Sequence, residues 1–267
     1  MKKLGIISGS GDLPFLLAKS VADHGMEPIV VQVTQEMSPK LGKIVNHIHP
    51  IGIGQIRKII KLFLDSGVDE VAIIGKIEKS ILLNPLRLDT AAIRILSSLP
   101  NKGDRTIMTA AINYFEGKGI KIIDQTLYLK NLLPPTGVLT KRKPTGTQWK
   151  DIKYGIELAR QVASMDIGQT VVVKNMIPIA IEAIEGTDST IERGGALGGK
   201  GIVVAKATSS DHDFRVDVPT VGERTLKLLH QANGSVLAVE AGRTFLLRGH
   251  QLSQIADQLK ISLVAVN

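Results

Sequence analysis

Between Glu182 and Gly222 the chain gathers carboxylates, hydroxyls, glycines and cations in a pattern that suits an anionic substrate. The stretch EAIEGTDSTIERGGALGGKG (182–201) is acidic at its start and glycine-rich at its end. After a short apolar run, SSDHDFRVDVPTVGERT (209–225) supplies a second polar turn. Glu182, Glu185, Asp188 and Glu192 fall within eleven residues, and hard cations take oxygen ligands of this kind. Helix capping explains the same letters. Ser189 and Glu192 have capping-box spacing, and acids favour a helix N-terminus through the dipole. Both readings stand for Glu185 and Asp188, whereas Glu192 reads as a capping residue. Asp217 precedes a second capping-box spacing, Thr220 and Glu223, so it is expected just before a helix N-terminus, where phosphate binds well. There it could hold Mg²⁺ or act as a general base toward water. Its plain role would be a turn residue bonding local N–H groups.

Other motifs are less specific. Gly194-x-x-x-x-Gly199-Lys200 has the letters of a phosphate loop, but Gly201 stands where a magnesium-binding hydroxyl belongs, and a strand follows where a helix should. An ATPase is therefore not expected. A glycine loop that closes over a substrate, or a plain connector, remains. Gly9-Ser10-Gly11-Asp12 is a strand-to-helix turn that could present N–H groups to phosphate. Pro14 occupies the place of the third glycine of a dinucleotide fingerprint, which argues against a nicotinamide oxidoreductase. A tight turn with Asp12 capping the helix is the alternative. His47 and His49 share a strand face without a third ligand, and no Gly-x-Ser-x-Gly elbow is present.

These residues need elements to hold them. Apolar runs at 3–8, 28–33 and 71–74 read as strands, with 44–49 as a further candidate. Leu13–His24 and Gly54–Ser66 have helical spacing, the second placing Ile56, Ile59, Ile60 and Phe63 on one face. Strands alternating with helices predict a parallel sheet covered on both faces. Thr90–Ser98 and Asp104–Gly117 read as helices, with Asp104 as an N-cap. Residues 131–150 contain prolines, glycines and the cluster Lys141-Arg142-Lys143, and are expected to link two domains, 1–130 and 151–267. The second domain should hold a helix at 152–163, strands at 170–173, 177–183 and 202–205, a helix near 189–193, a helix at 221–232, strands at 236–239 and 245–247, a helix at 253–259 and a strand at 262–266.

The 267 residues are 43% hydrophobic and carry a formal charge of +8. That balance favours phosphorylated substrates or anionic lipid headgroups. Only 3% of residues are aromatic, so single-strand nucleic-acid binding by base stacking has few platforms, and nucleic acid is not an expected partner. With no cysteine, disulfides, thiolate zinc sites and cysteine nucleophiles are excluded. No apolar run approaches the roughly 20 residues of a spanning helix, and the apolar run after Met1 is too short for a signal peptide.

GIISGSGDLP, NKGDRTIMTAAINYFEGKG, AIEGTDSTIERGG and RVDVPTVG, taken together and in order, resemble the LpxI-type UDP-2,3-diacylglucosamine pyrophosphatases of lipid A synthesis. Val216 stands where phenylalanine is common in that pattern. The resemblance covers nearly the whole chain. It implies an α/β fold of two domains, a Rossmann-like amino-terminal one and a carboxyl-terminal hydrolytic one, with the ligand between them. It implies Mg²⁺-dependent attack of water on the α-phosphorus of UDP-2,3-diacylglucosamine, releasing UMP and 2,3-diacylglucosamine 1-phosphate. The family's essential aspartate carries over to Asp217, as catalytic group and metal ligand. Glu185, Thr187 and Asp188 follow from the EGTDST match. Gly11, Asp12, Gly75 and Lys76, at the ends of predicted strands, are expected to bind substrate, together with Asp104, Lys174 and Lys206. The acyl chains need an apolar groove, for which the helix at 90–99 and the LLPP stretch are candidates, although both also read as core. The implied setting is cytoplasmic, against the anionic inner leaflet of the inner membrane, and a homodimer is left open. A non-catalytic nucleotide-sugar or glycolipid binding protein using the same cleft is the competing reading.

Overall fold

The computed structural model describes all residues except 35–39, 78–86 and 101–102, and also leaves out the side chain of Asp104. The chain divides into two compact units. The first comprises Met1–Leu129 and Asp213–Asp217, and the second Lys130–His212 and Val218–Asn267.

The first unit is built on β1 (Lys3–Ser8), β2 (Glu27–Gln32), β3 (Ile48–Pro50), β4 (Glu70–Ile74) and β5 (Lys121–Ile122). All pairings are parallel, in the order β3-β2-β1-β4-β5. That is the order of the first five strands of a doubly wound nucleotide-binding sheet. Among the described residues, four α-helices accompany it: α1 (Leu13–Asp23), α2 (Ile56–Asp65), α3 (Thr90–Ser97) and α4 (Asp104–Glu116). The predicted face of α2 is the one that is buried. Phe63 in its last turn forces a glycine into β1, because a Cβ on Gly5 would lie 2.8 Å from the Phe63 ring and 2.6 Å from Val71. Asp89 caps α3, accepting from the Ala91 and Ala92 N–H groups at 3.0 and 2.9 Å. Asp104 is not the cap of α4 but its first residue, after Gly103.

The second unit has a six-stranded mixed sheet in the order β6-β13-β11-β9-β7-β8. Its strands are β6 (Gly137–Val138), β7 (Thr170–Lys174), β8 (Ile177–Ile181), β9 (Val203–Lys206), β11 (Val236–Glu240) and β13 (Ser262–Val266). β10 (Thr220–Val221) and β12 (Phe245–Leu246) form a separate pair. Strand alternation sorts the side chains. Val171 and Val173 pack under α5 (Gly146–Ser164), whereas Val172 faces α6 (Gly186–Gly198), α7 (Glu223–Gln231) and α8 (Gly249–Gln258). The 131–150 stretch, with its prolines, is built into this unit. β6 pairs with β13, and the Thr140 hydroxyl accepts from the Leu263 N–H. Thr145 and Gln148 form a capping box, so α5 begins six residues before the apolar periodicity suggested.

The largest departure from the sequence reading lies in the glycine-rich segment, which is neither a loop nor a lid. Gly194, Gly195 and Gly198 are inside α6. A Cβ at these positions would come within 2.7 Å of Val172, 2.5 Å of Ala232 and 2.7 Å of Ile202, respectively. The glycines let the helix press against β7 and the start of Ala232's turn. Because α6 already begins at Gly186, Ser189 and Glu192 are interior and form no capping box. Thr220 likewise does not cap α7. It belongs to β10, donates to the Val218 carbonyl at 2.9 Å, and leaves Gly222 at the N-cap.

Candidate active site

In the first unit, the chain leaves β1 for α1 and β2 on one side, and returns through α2 to β4 on the other. The carboxyl ends of β1 and β4 therefore flank a topological switch point, the usual ligand crevice of such sheets. Gly9–Asp12 and Gly75-Lys76 meet there. Ser10 and Lys76 exchange backbone bonds, N–H to carbonyl at 2.9 Å and 3.0 Å, and the Gly9 N–H donates to Ile74 at 2.8 Å. These three donors are committed to joining the loops. Gly9 and Gly75 are required for the approach: a Cβ on either would lie 2.5 Å and 2.8 Å from the carbonyl oxygens of Lys76 and Ser10. Gly11 has φ +101 in open space. Asp12 makes no side-chain cap to α1 and pairs instead with Lys40 at 3.2 Å. Lys76 is exposed. Asp104 opens α4, and its side chain lies outside the described residues.

Asp217 belongs to this same unit. The five residues that bring it there are fastened at each step. Phe214 accepts from the Gln125 N–H at 3.3 Å, just beyond the carboxyl end of β5. Arg215 is gripped by Asp213, with Nη2 to Oδ2 at 2.8 Å, and reaches Glu116 at 3.1 Å. Asp213 first, and Glu116 after it, raise the pKa of the guanidinium. Val216 packs on the apolar core between the sheet and α2–α4. Asp217 follows directly, as an exposed residue on a fixed base.

The second unit collects a different group at the carboxyl ends of β9 and β11. Lys206, which ends β9, is 7% exposed. Its Nζ donates to Thr187 at 3.0 Å and Thr170 at 3.2 Å, and lies 4.0 Å from Glu182. The Thr187 hydroxyl donates to Glu182 at 2.8 Å. On the other face of the sheet, Glu240 ends β11 and is 2% exposed. It accepts from Arg160 at 2.6 Å and from the Thr208 N–H and hydroxyl at 2.7 and 3.0 Å, with Arg243 at 3.6 Å. Register pairing of Val239 with Lys206 brings both groups to the same end of the sheet, Lys206 on the α6 face and Glu240 on the α5 face.

The remaining expected residues are occupied elsewhere in the second unit. Glu185 accepts from Arg193 at 2.5 Å and from the Ala183 N–H at 3.2 Å. Its own backbone N–H first, then Arg193, hold its carboxyl below the ordinary glutamate range. Asp188 pairs with Arg224 at 2.7 Å. Lys174 donates to the Gly198 carbonyl at the end of α6, at 2.6 Å. Antiparallel pairing of β7 with β9 puts Lys174 at the opposite end of the sheet from Lys206. Thus Thr187 and Lys206 are brought together and Lys174 is not. Arg160, Thr170, Thr208, Glu240 and Arg243 went unread in the sequence. A charged residue closing the apolar run VLAVE, and the hydroxyls of KATSS after a strand, were the available signals.

Among the described residues, no three His, Cys, Asp or Glu side chains converge as a metal cage. Mg²⁺ commonly needs less protein than that, one or two carboxylates together with substrate phosphate oxygens, and exposed Asp217 fits such a donor set. The first unit also contains an apolar recess of about 110 Å³ between the sheet and α2–α4, lined among others by Ile7, Ile53, Ile77, Ile95, Leu96 and Met108. Among the described residues, no helix is long and apolar enough to cross a membrane.

Two family models match in succession, the LpxI N-terminal domain over residues 3–132 and the LpxI C-terminal domain over residues 135–264. UDP-2,3-diacylglucosamine pyrophosphatase LpxI of Caulobacter vibrioides is 30% identical over 278 residues, spanning 100% of this chain and 98% of that protein. Solved structures are more distant. The biotin carboxylase subunit of pyruvate carboxylase is 12% identical at a TM-score of 0.30, over 64% of this chain and 35% of that one. An ADP complex of N5-carboxyaminoimidazole ribonucleotide synthetase is 15% identical at a TM-score of 0.29, over 73% and 45%. The chain thus spans between about a third and a half of those structures, a likeness too weak to bear on function.

Proposed function

The chain belongs to the LpxI family, and from that premise we propose that it hydrolyses the pyrophosphate of UDP-2,3-diacylglucosamine. The carrying observation is the full-length relative whose name states that activity, joined to an exposed aspartate on a fixed base. In the proposed reaction the oxygen of water bonds to the α-phosphorus. The bridging oxygen leaves with the β-phosphate, giving UMP and 2,3-diacylglucosamine 1-phosphate. Mg²⁺ held by Asp217 and the pyrophosphate would neutralise phosphate charge and lower the pKa of the attacking water.

The protein's own groups supply the rest. Asp217 is the carboxylate at the reacting phosphate, as metal ligand or as acceptor of the water proton. Lys76, beside the switch point, offers a cation to phosphate oxygens, where negative charge grows in the transition state. The apolar recess, at about 110 Å³, has room for the tip of one acyl chain and not for the whole diacyl end of the substrate. It includes Ala92, Ile95 and Leu96 of α3, a helix read from the sequence both as core and as an acyl groove.

Incubation with Mg²⁺ and UDP-2,3-diacylglucosamine should release UMP in step with 2,3-diacylglucosamine 1-phosphate. Binding without release would replace a hydrolase with a binding protein. Asp217→Ala should lower kcat by about a hundredfold or more with an unchanged melting temperature. Activity within a few-fold of the parent would remove Asp217 from the chemistry.

A further inference from the structure

The outer face of α2, α3 and α4 carries a groove that the proposed chemistry does not use. It encloses about 480 Å³, and its walls include Arg57, Lys61, Arg94, Lys118 and Tyr114. Four cations face this concavity with one lining carboxylate, Asp65, which Lys61 binds at 2.7 Å. Asp89, at the α3 N-cap, spends its oxygens on the N–H groups of Arg57, Ala91 and Ala92. Arg57 extends Nη1 toward the Thr90 hydroxyl at 3.3 Å, and the Lys118 ammonium lies 5.7 Å from the Tyr114 ring centre. The groove therefore keeps a surplus of positive charge, arranged around a hollow rather than cancelled in pairs. Leu64, in its wall, is 48% exposed, as is Ile93 on another side of α3.

We propose that this face docks on an anionic bilayer, with a phospholipid headgroup phosphate in the groove and Leu64 and Ile93 entering the acyl boundary. A basic surface alone would serve any polyanion, but exposed leucine and isoleucine gain nothing from nucleic acid or free phosphate. Cations combined with apolar side chains are what holds a protein on a membrane interface. The reading rests on the proposed lipid substrate only for the reason to meet a bilayer, and binding is measured without turnover.

The test is co-sedimentation with phosphatidylethanolamine–phosphatidylglycerol vesicles and with all-phosphatidylcholine vesicles. Wild type should bind the anionic vesicles much more tightly. Each groove cation near an anionic surface contributes about 1 kcal/mol, so Arg57→Gln with Arg94→Gln should weaken binding about 30-fold. Leu64→Ser with Ile93→Ser should leave binding that high salt then abolishes. Lys141→Gln with Lys143→Gln, the same charge change on the other unit, should cost only a few-fold. Equal loss from that control pair would reduce the effect to net charge and overturn the proposal. So would equal binding to both vesicles, or competition by millimolar inorganic phosphate. UMP release from detergent-dispersed substrate should be unchanged in the Arg57/Arg94 variant. Its loss would assign the groove to the active site instead.

Discussion

Replacing Gly194 by alanine tests whether the glycines of α6 serve packing or movement. A Cβ there would lie 2.7 Å from both Val172 methyls and 2.8 Å from its Cβ. Val172 is fully buried on β7, which pairs with strands on both sides, so neither partner can withdraw cheaply. Overpacking of this kind costs about 1–3 kcal/mol. Alanine recovers about 1 kcal/mol of helix propensity. Three contacts below 3 Å against a fixed strand place the clash near the top of its range, giving a net loss of about 2 kcal/mol. The urea midpoint should fall accordingly. Val172→Ala alone should also destabilise, since it deletes two buried methyls. In the double variant the methyl added at position 194 fills the space that Val172 vacates. The pair should therefore be more stable than the sum of singles by about 1–2 kcal/mol, well beyond the deviation shown by independent sites. Strict additivity would refute the packing argument. A normal midpoint with slowed turnover would restore a mobile segment at this position.

Glu240→Ala should destabilise the second unit by about 3 kcal/mol, because it strands a buried Thr208 N–H and two arginines that solvent only partly reaches; the shift in denaturation midpoint measures it. Glu185 is held ionised in the fold, so its contribution is present above the ordinary glutamate value of 4.5 and is lost as pH falls through its lower folded value. Glu185→Gln should accordingly flatten the melting-temperature profile on the acid side while leaving neutral pH nearly unchanged. Chelation with EDTA should abolish UMP release without lowering the melting temperature, and added Mg²⁺ should restore it; activity surviving full chelation would exclude the divalent ion from the reaction.

In the first unit β1, β2 and β4 were legible because they are short apolar runs, and the helices because their spacing is clean; the third strand is Ile48–Pro50 and not the 44–49 stretch, so His47 lies outside it. Phe63 and its neighbours on α2 fell on the expected face for that reason. The glycines of α6 were not legible, since Gly194 answers to Val172, some twenty residues earlier, and only the fold brings the two together. Capping boxes misled twice, at Ser189 and Thr220, because the pattern is local while a helix start is also set by packing. At Thr145 and Gln148 the box did form, but it lay in a proline-rich stretch read as a connection. Family motifs pointed to Asp217. They could not say that Val216 would seat it on the core of the first unit. Glu240 showed only as a charge closing an apolar run, and its partnership with Arg160, across 80 residues, leaves no spacing signal.

The five residues 213–217 also decide how the protein can be divided. The two family models divide the chain once, between residues 132 and 135, but the physical units are interleaved, since Asp213–Asp217 lie in the carboxyl-terminal half of the sequence and in the first unit of the structure. A fragment ending at Leu129 would lack Asp217 and the Val216 contact with its core. The complementary fragment would carry that segment with nothing to seat it. Neither half can then be swapped for a homologous one unless the recipient core accepts the incoming valine and Glu116 meets the incoming arginine. The carboxylate is inherited with one half and seated by the other, which binds the two halves into one unit of exchange.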